Sequence, residues 1–316
     1  MTDARLFRST VAGFEAVVLE NDAIRAVVLP TLGGRVWELE DKARGRQWIW
    51  HRDDVPLARA SAGAPYDDVW AGGWEELFPN DAAGRFEGRT LPDHGEWWTF
   101  DWTVDEASAG PVAVLRLRTE AMAVRASCVK EFRLAAGAPS LSVTYRIRSG
   151  EPAPFHFLFK QHLPVAIDPH CRLRLPGGRV DAVDPAFGTV LPGPGPFAWP
   201  QAAGGGRVAD LQLVPPREQE QREFVYVRDL PAGWCGVDDT RRGASLRMEY
   251  DAEVFPYVWL FLSYGGWRRV YTAVLEPCTN MPKDLTEAVR QGQSARLMPH
   301  QEFVTTVTVT VGGAIA

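Results

Sequence analysis

The sequence predicts an all-β fold, a large antiparallel β-sandwich built as a single domain over residues 1–316. Three observations predict it. Residues 303–311 (FVTTVTVTV) alternate Val with Thr from position 306, the period-two pattern of a strand. Runs of the same character recur at 16–19, 26–29, 112–117, 124–134, 141–147, 224–227 and 245–250, separated by Gly, Pro, Asp and Asn clusters. Helical periodicity is scarce. In the 141–147 run, Leu141, Val143, Tyr145 and Ile147 alternate with Ser142, Thr144 and Arg146, as suits a sheet with one solvated face. The best helix candidate covers 285–291, with Asp284 as cap, Glu287 at the capping-box position and Gly292 as the stop. The Gly- and Pro-rich stretch 191–207 has strand signals on both sides and reads as a long surface loop inside one domain. A chain of 316 residues that is 46% hydrophobic can bury a sizeable core.

The net charge of −6 is spread without blocks of like sign, which argues against nucleic acid or an anionic membrane surface as partner. The start, MTDARLFRST, has no apolar core of the secretory kind, and no stretch approaches a membrane span. Cys128, Cys171, Cys235 and Cys278 stand alone, without the paired spacing of a zinc site or disulfide framework. They are expected to be buried free thiols in a reducing cytoplasm.

Three segments carry polar residues that suit a ligand face. Residues 70–102 gather Trp70, Trp74, Trp97, Trp98 and Trp102 around Glu75, Glu76, Asn80, Asp93, His94 and Glu96, in a stretch repeatedly broken by Pro and Gly. Exposed Trp is costly without a purpose, and sugars supply one: apolar C–H faces stack on rings while carboxylates and amides take the hydroxyls. In FHFLFKQHLPVAI (155–167), read as one strand, Phe155, Phe157 and Phe159 face the core, and His156, Leu158, Lys160 and His162 share the other face. In the third segment, the apolar run 270–275 ends on Glu276 and Pro277. A carboxylate at the end of a buried strand is open to desolvation, which raises its pKa and suits general-base work.

Taken in order, these segments resemble the aldose 1-epimerases and the wider galactose mutarotase-like superfamily. The landmarks are Gly33-Gly34-Arg35-Val36, Gly72-Gly73, Leu77-Phe78-Pro79, His94-Gly95, His162-Leu163-Pro164 and Glu276-Pro277, followed by Leu297-Met298-Pro299-His300 and the Val/Thr strand. The resemblance implies a β-supersandwich that interconverts the anomers of an aldose by acid–base ring opening, with no metal or organic cofactor. By position it makes Glu276 the base and His162 the acid, with His94 holding the sugar. Glu75, Glu76, Asn80, Trp74, Trp98, His156 and Lys160 complete the expected substrate-binding set. The lack of Arg in HGEWWTFDW points to a modified or linked sugar. The expected protein is a cytoplasmic monomer or homodimer whose partner is a small carbohydrate.

Other readings stay open at this level. A sugar-binding protein could keep the cleft without turnover. His94, His156, His162 and Glu276 are also residue types of a metal-dependent sugar isomerase, and Glu75, Glu76 or Asp93 could be the second carboxylate of a lyase or hydrolase.

Overall fold

The computed structural model describes residues 3–315. It is 51% strand and 5% helix, and its strands form antiparallel sheets. A five-stranded sheet opens the chain, running in sequence order from Arg5–Val11 to Arg46–Gln47. The Val/Thr strand, Glu302–Gly312, lies inside an eight-stranded sheet between Ser140–Ser149 and Ala244–Glu249. Val307, Val309 and Val311 are buried, while Thr306 and Thr308 pair with Thr144 and Ser142 across the solvated face at 2.8 and 3.0 Å. The third large sheet has nine strands. From its middle to one edge it runs Gln221–Arg228, Tyr257–Tyr264, Tyr271–Cys278, Lys160–Ala166 and Glu75–Leu77.

One face of the nine-stranded sheet packs on the eight-stranded sheet. Val225, Val227, Leu260, Leu262, Ala273 and Leu275 from the first merge with Phe132, Val143, Ile147 and Val309 from the second in one apolar cluster. Valines and leucines of the five-stranded sheet join it. A polar network crosses this interior: Lys130 Nζ lies 2.7 Å from Glu76, Tyr145 Oη donates to Glu76, and Trp74 Nε1 donates to Gln161 at 2.9 Å. Burial pulls the Lys130 ammonium below its ordinary pKa, and Glu76 resists that fall. The other face of the nine-stranded sheet carries an open cavity.

The predicted helix forms at Leu285–Arg290, with Asp284 accepting from the Glu287 amide at 2.8 Å. Two expectations need correction. The 191–207 stretch is not all loop, because Phe197–Ala198, Gln201–Gly204 and the start of Arg207–Asp210 extend the nine-stranded sheet. Its Gly205-Gly206 pair, both at positive φ, makes a tight hairpin turn within what was expected as open loop. The single strand expected over 155–167 is also broken. Phe155–Phe157 pairs with Ala295–Leu297, and a new strand begins at Lys160 in a different sheet. All four cysteines are free and buried. Among the described residues no helix is long and apolar enough to cross a membrane.

Candidate active site

Strand alternation decides which side chains meet the ligand face. Phe224 is registered with Phe261, and Trp259 with Glu276. On the neighbouring strand His162 takes the same face, while Gln161 and Leu163 point into the sandwich. Lys160 shares the ligand face at the start of that strand. The result is a cavity of about 280 Å³ whose floor holds Lys160, His162 and Glu276 and whose wall holds Tyr66, Trp70, Asp81 and His94.

The charges on the floor are organised around Lys160. Its ammonium sits 2.6 Å from Asp81, contacts Glu276 and lies 4.1 Å from the ring centre of Trp259. Burial opposes the charged ammonium, but Asp81 and Glu276 outweigh it and hold Lys160 above its ordinary value. Burial pushes the Glu276 carboxyl up to about 7, and Lys160 restrains a further rise. Because Lys160 is shared with Asp81, it does not hold Glu276 in the ordinary carboxylate range.

Tyr66 organises the imidazoles. Its ring stacks on His94 with centroids 3.9 Å apart, and Asp93 accepts from both the Tyr66 amide (2.9 Å) and His94 Nδ1 (2.8 Å). Burial works against a charged His94, but Asp81 and the Asp93 hydrogen bond more than offset it, so its pKa lies above the usual imidazole value. His162 goes the other way. Burial, then Lys160, His94 and Arg35, hold it well below that value, so it is neutral at physiological pH. Tyr66 Oη donates to Glu75 and lies 3.2 Å from His162 Nδ1. Burial and Glu75 push the phenol well up, so it keeps its proton. With that proton committed to Glu75, the network puts the His162 proton on Nδ1 and leaves Nε2 as an acceptor.

The landmark glycines have a steric reason. His94 itself has φ +58°, and at Gly95 (φ +68°) a Cβ would lie 2.2 Å from the Phe78 carbonyl oxygen. Arg35 joins the first landmarks: it donates to the Leu32, Gly72 and Trp98 carbonyls at 2.8–3.1 Å and lies 2.9 Å from Glu75.

Of the residues expected from sequence, Glu276, His162, His94 and Lys160 meet at the cavity. Glu75 stands directly behind it, through Tyr66 and Arg35. The remaining five do not line it. Glu76 points the opposite way from Glu75, into the sandwich. Asn80 is buried and donates to the Ala82 and Pro92 carbonyls, clamping its own loop. Trp74 is core, Trp98 backs Tyr66 edge-on, and His156 bonds Ser294 from the separate small sheet. Among the described residues no three His, Cys, Asp or Glu side chains converge as a metal ligand set. Sequence reasoning missed Tyr66 and Asp81. Neither lies in a strand with a telling pattern, though Asp81 follows Asn80 just after the Leu77-Phe78-Pro79 landmark.

Comparison with known proteins gives the class of fold. A family described as a domain of unknown function (DUF5107) matches residues 3–83. A galactose mutarotase-like protein from Clostridium acetobutylicum superposes with a TM-score of 0.69 at 12% identity, covering 99% of each chain. One from Lactobacillus casei gives 0.67 at 14% identity, over 94% of this chain and all (100%) of that one. A proposed aldose 1-epimerase from Klebsiella pneumoniae subsp. pneumoniae gives 0.77 at 13% identity, over 98% of this chain and 84% of that one. The chain therefore has the galactose mutarotase-like fold predicted from its sequence.

Proposed function

We propose that this protein is an aldose 1-epimerase-like isomerase that opens and recloses the ring of a reducing sugar. The observation that carries the reading is Glu276, a buried carboxyl with a pKa of about 7, sharing its cavity with two imidazoles whose pKa values are shifted in opposite directions. Glu276 accepts the proton of the anomeric hydroxyl while the C1 carbonyl forms and the C1–ring oxygen bond breaks. The ring oxygen takes a proton from His94, the imidazole whose charged form Asp81 and Asp93 favour. Rotation about C1–C2 and reversal of both transfers close the other anomer. The resemblance alone gave the acid role to His162. A neutral His162 with Nε2 as acceptor is a poor donor, and its role here is to receive a sugar hydroxyl.

The test is anomer exchange by NMR saturation transfer over a panel of free and modified aldoses, with His94→Asn and His162→Asn compared. His94→Asn is expected to lose turnover about 10²-fold or more, and His162→Asn to act mainly on KM. The reverse ranking would return the acid role to His162, and a protein that exchanges no sugar would refute the epimerase reading.

The pH profile is a second check. The catalytic form needs Glu276 deprotonated and His94 protonated. kcat/KM is expected to rise with pH through about 7 and to fall again as His94 loses its proton above the usual imidazole range. A profile flat across neutrality would remove Glu276 as the base.

A further inference from the structure

The acid–base chemistry leaves one part of the cavity unused. Its mouth carries four half-buried rings, Phe187, Phe224, Phe261 and Trp267, joined through Phe261. Phe261 meets Phe224, Trp267 and Phe187 with centroids 5.7, 5.1 and 5.8 Å apart. The strip is built, not incidental. Arg222 donates to the Phe187 carbonyl at 2.7 Å and to the Gly266 carbonyl at 2.8 Å, tying together the two turns that carry Phe187 and Trp267, and its guanidinium also lies over the Phe187 ring. Contiguous apolar surface held rigidly at the mouth of a polar cavity marks a binding surface. Sugar rings suit it, because their C–H faces stack on aromatic rings.

Charge narrows the ligand further. Asp67, Asp81, Asp184 and Glu276 line the same space against Lys160, Lys283 and His94, and the floor cation Lys160 is already engaged by two of the acids. That field disfavours a phosphate or sulfonate. Asp184 and Lys283 at the mouth are both exposed and suit hydroxyls.

We propose that the site takes the reducing end of a neutral disaccharide or longer oligosaccharide, with the second sugar unit stacked on Phe187, Phe261 and Trp267. This rests on the reading that the Glu276–His94 floor seats the reducing ring. The experiment is calorimetric titration of the full chain with glucose, galactose, maltose, cellobiose, lactose and glucose 6-phosphate, beside anomer exchange on the same sugars. A disaccharide is expected to bind about tenfold more tightly than its monosaccharide, with the phosphate weaker than glucose. Trp267→Ala and, on the other turn, Phe187→Ala should each bring the disaccharide-to-monosaccharide ratio close to one. Disaccharides no tighter than monosaccharides, or a ratio unchanged in both variants, would overturn the proposal. Exchange separates the two readings. Tight disaccharide binding without exchange refutes the epimerase reading and keeps the aromatic subsite, whereas glucose exchange with no disaccharide advantage does the opposite.

Discussion

Glu276→Gln is expected to lower kcat/KM for anomer exchange by about 10³-fold, equivalent to roughly 4 kcal/mol of transition-state stabilisation. The amide keeps the volume and one acceptor but cannot take the anomeric proton. The fold should survive, because Lys160 retains Asp81 at 2.6 Å and the substitution removes a carboxyl that burial already disfavours as an anion. Exchange rates measured beside thermal unfolding therefore separate lost chemistry from lost structure. A variant that is stable and still fully active would move the base to Asp81, the other carboxylate on Lys160.

Lys130→Met is expected to destabilise the protein by about 3–5 kcal/mol, the cost of stranding one member of a buried ion pair. Methionine roughly conserves the volume, so the loss reports charge rather than a cavity. Without the ammonium, Glu76 keeps only Tyr145 as a hydrogen-bond donor in the dry space between the sheets, and the Gly34 carbonyl loses its donor at 2.9 Å. Urea unfolding gives the number. Adding Glu76→Gln should recover most of it, since a neutral pair leaves no uncompensated charge. A single variant costing under about 1 kcal/mol would mean that Glu76 is satisfied without Lys130.

The fold was legible where its cause is local. The Val/Thr alternation of Glu302–Gly312 and the Asp284 cap are each decided within a few residues, and both appear as read. The strand break after Phe157 was not legible, because what ends the pairing is a partner strand near residue 296, far along the chain. The site divides the same way. His162 and Glu276 stand on strands whose period fixes their face. Tyr66 and Asp81 act through partners that only the folded chain brings near: Glu75 and His162 for the first, Lys160 for the second. The exchange of roles between His94 and His162 is the clearest case. Both are plain histidines in sequence, and their difference comes from Asp81 and Asp93 beside one and Lys160 with Arg35 near the other.

The adjacent carboxylates of Glu75 and Glu76 point to opposite faces of one three-residue strand, Glu75 to Arg35 and Tyr66, Glu76 to Lys130 and Tyr145. Side chains alternate at every residue, so shifting this strand by one position would exchange both carboxylates between unlike surroundings at once. Point substitutions at 75 or 76 damage one side of the sheet, but a single-residue insertion or deletion between Gly73 and Phe78 damages both. The length of this stretch is thus held more tightly than its composition, and libraries built on this protein should vary residues there without changing their number.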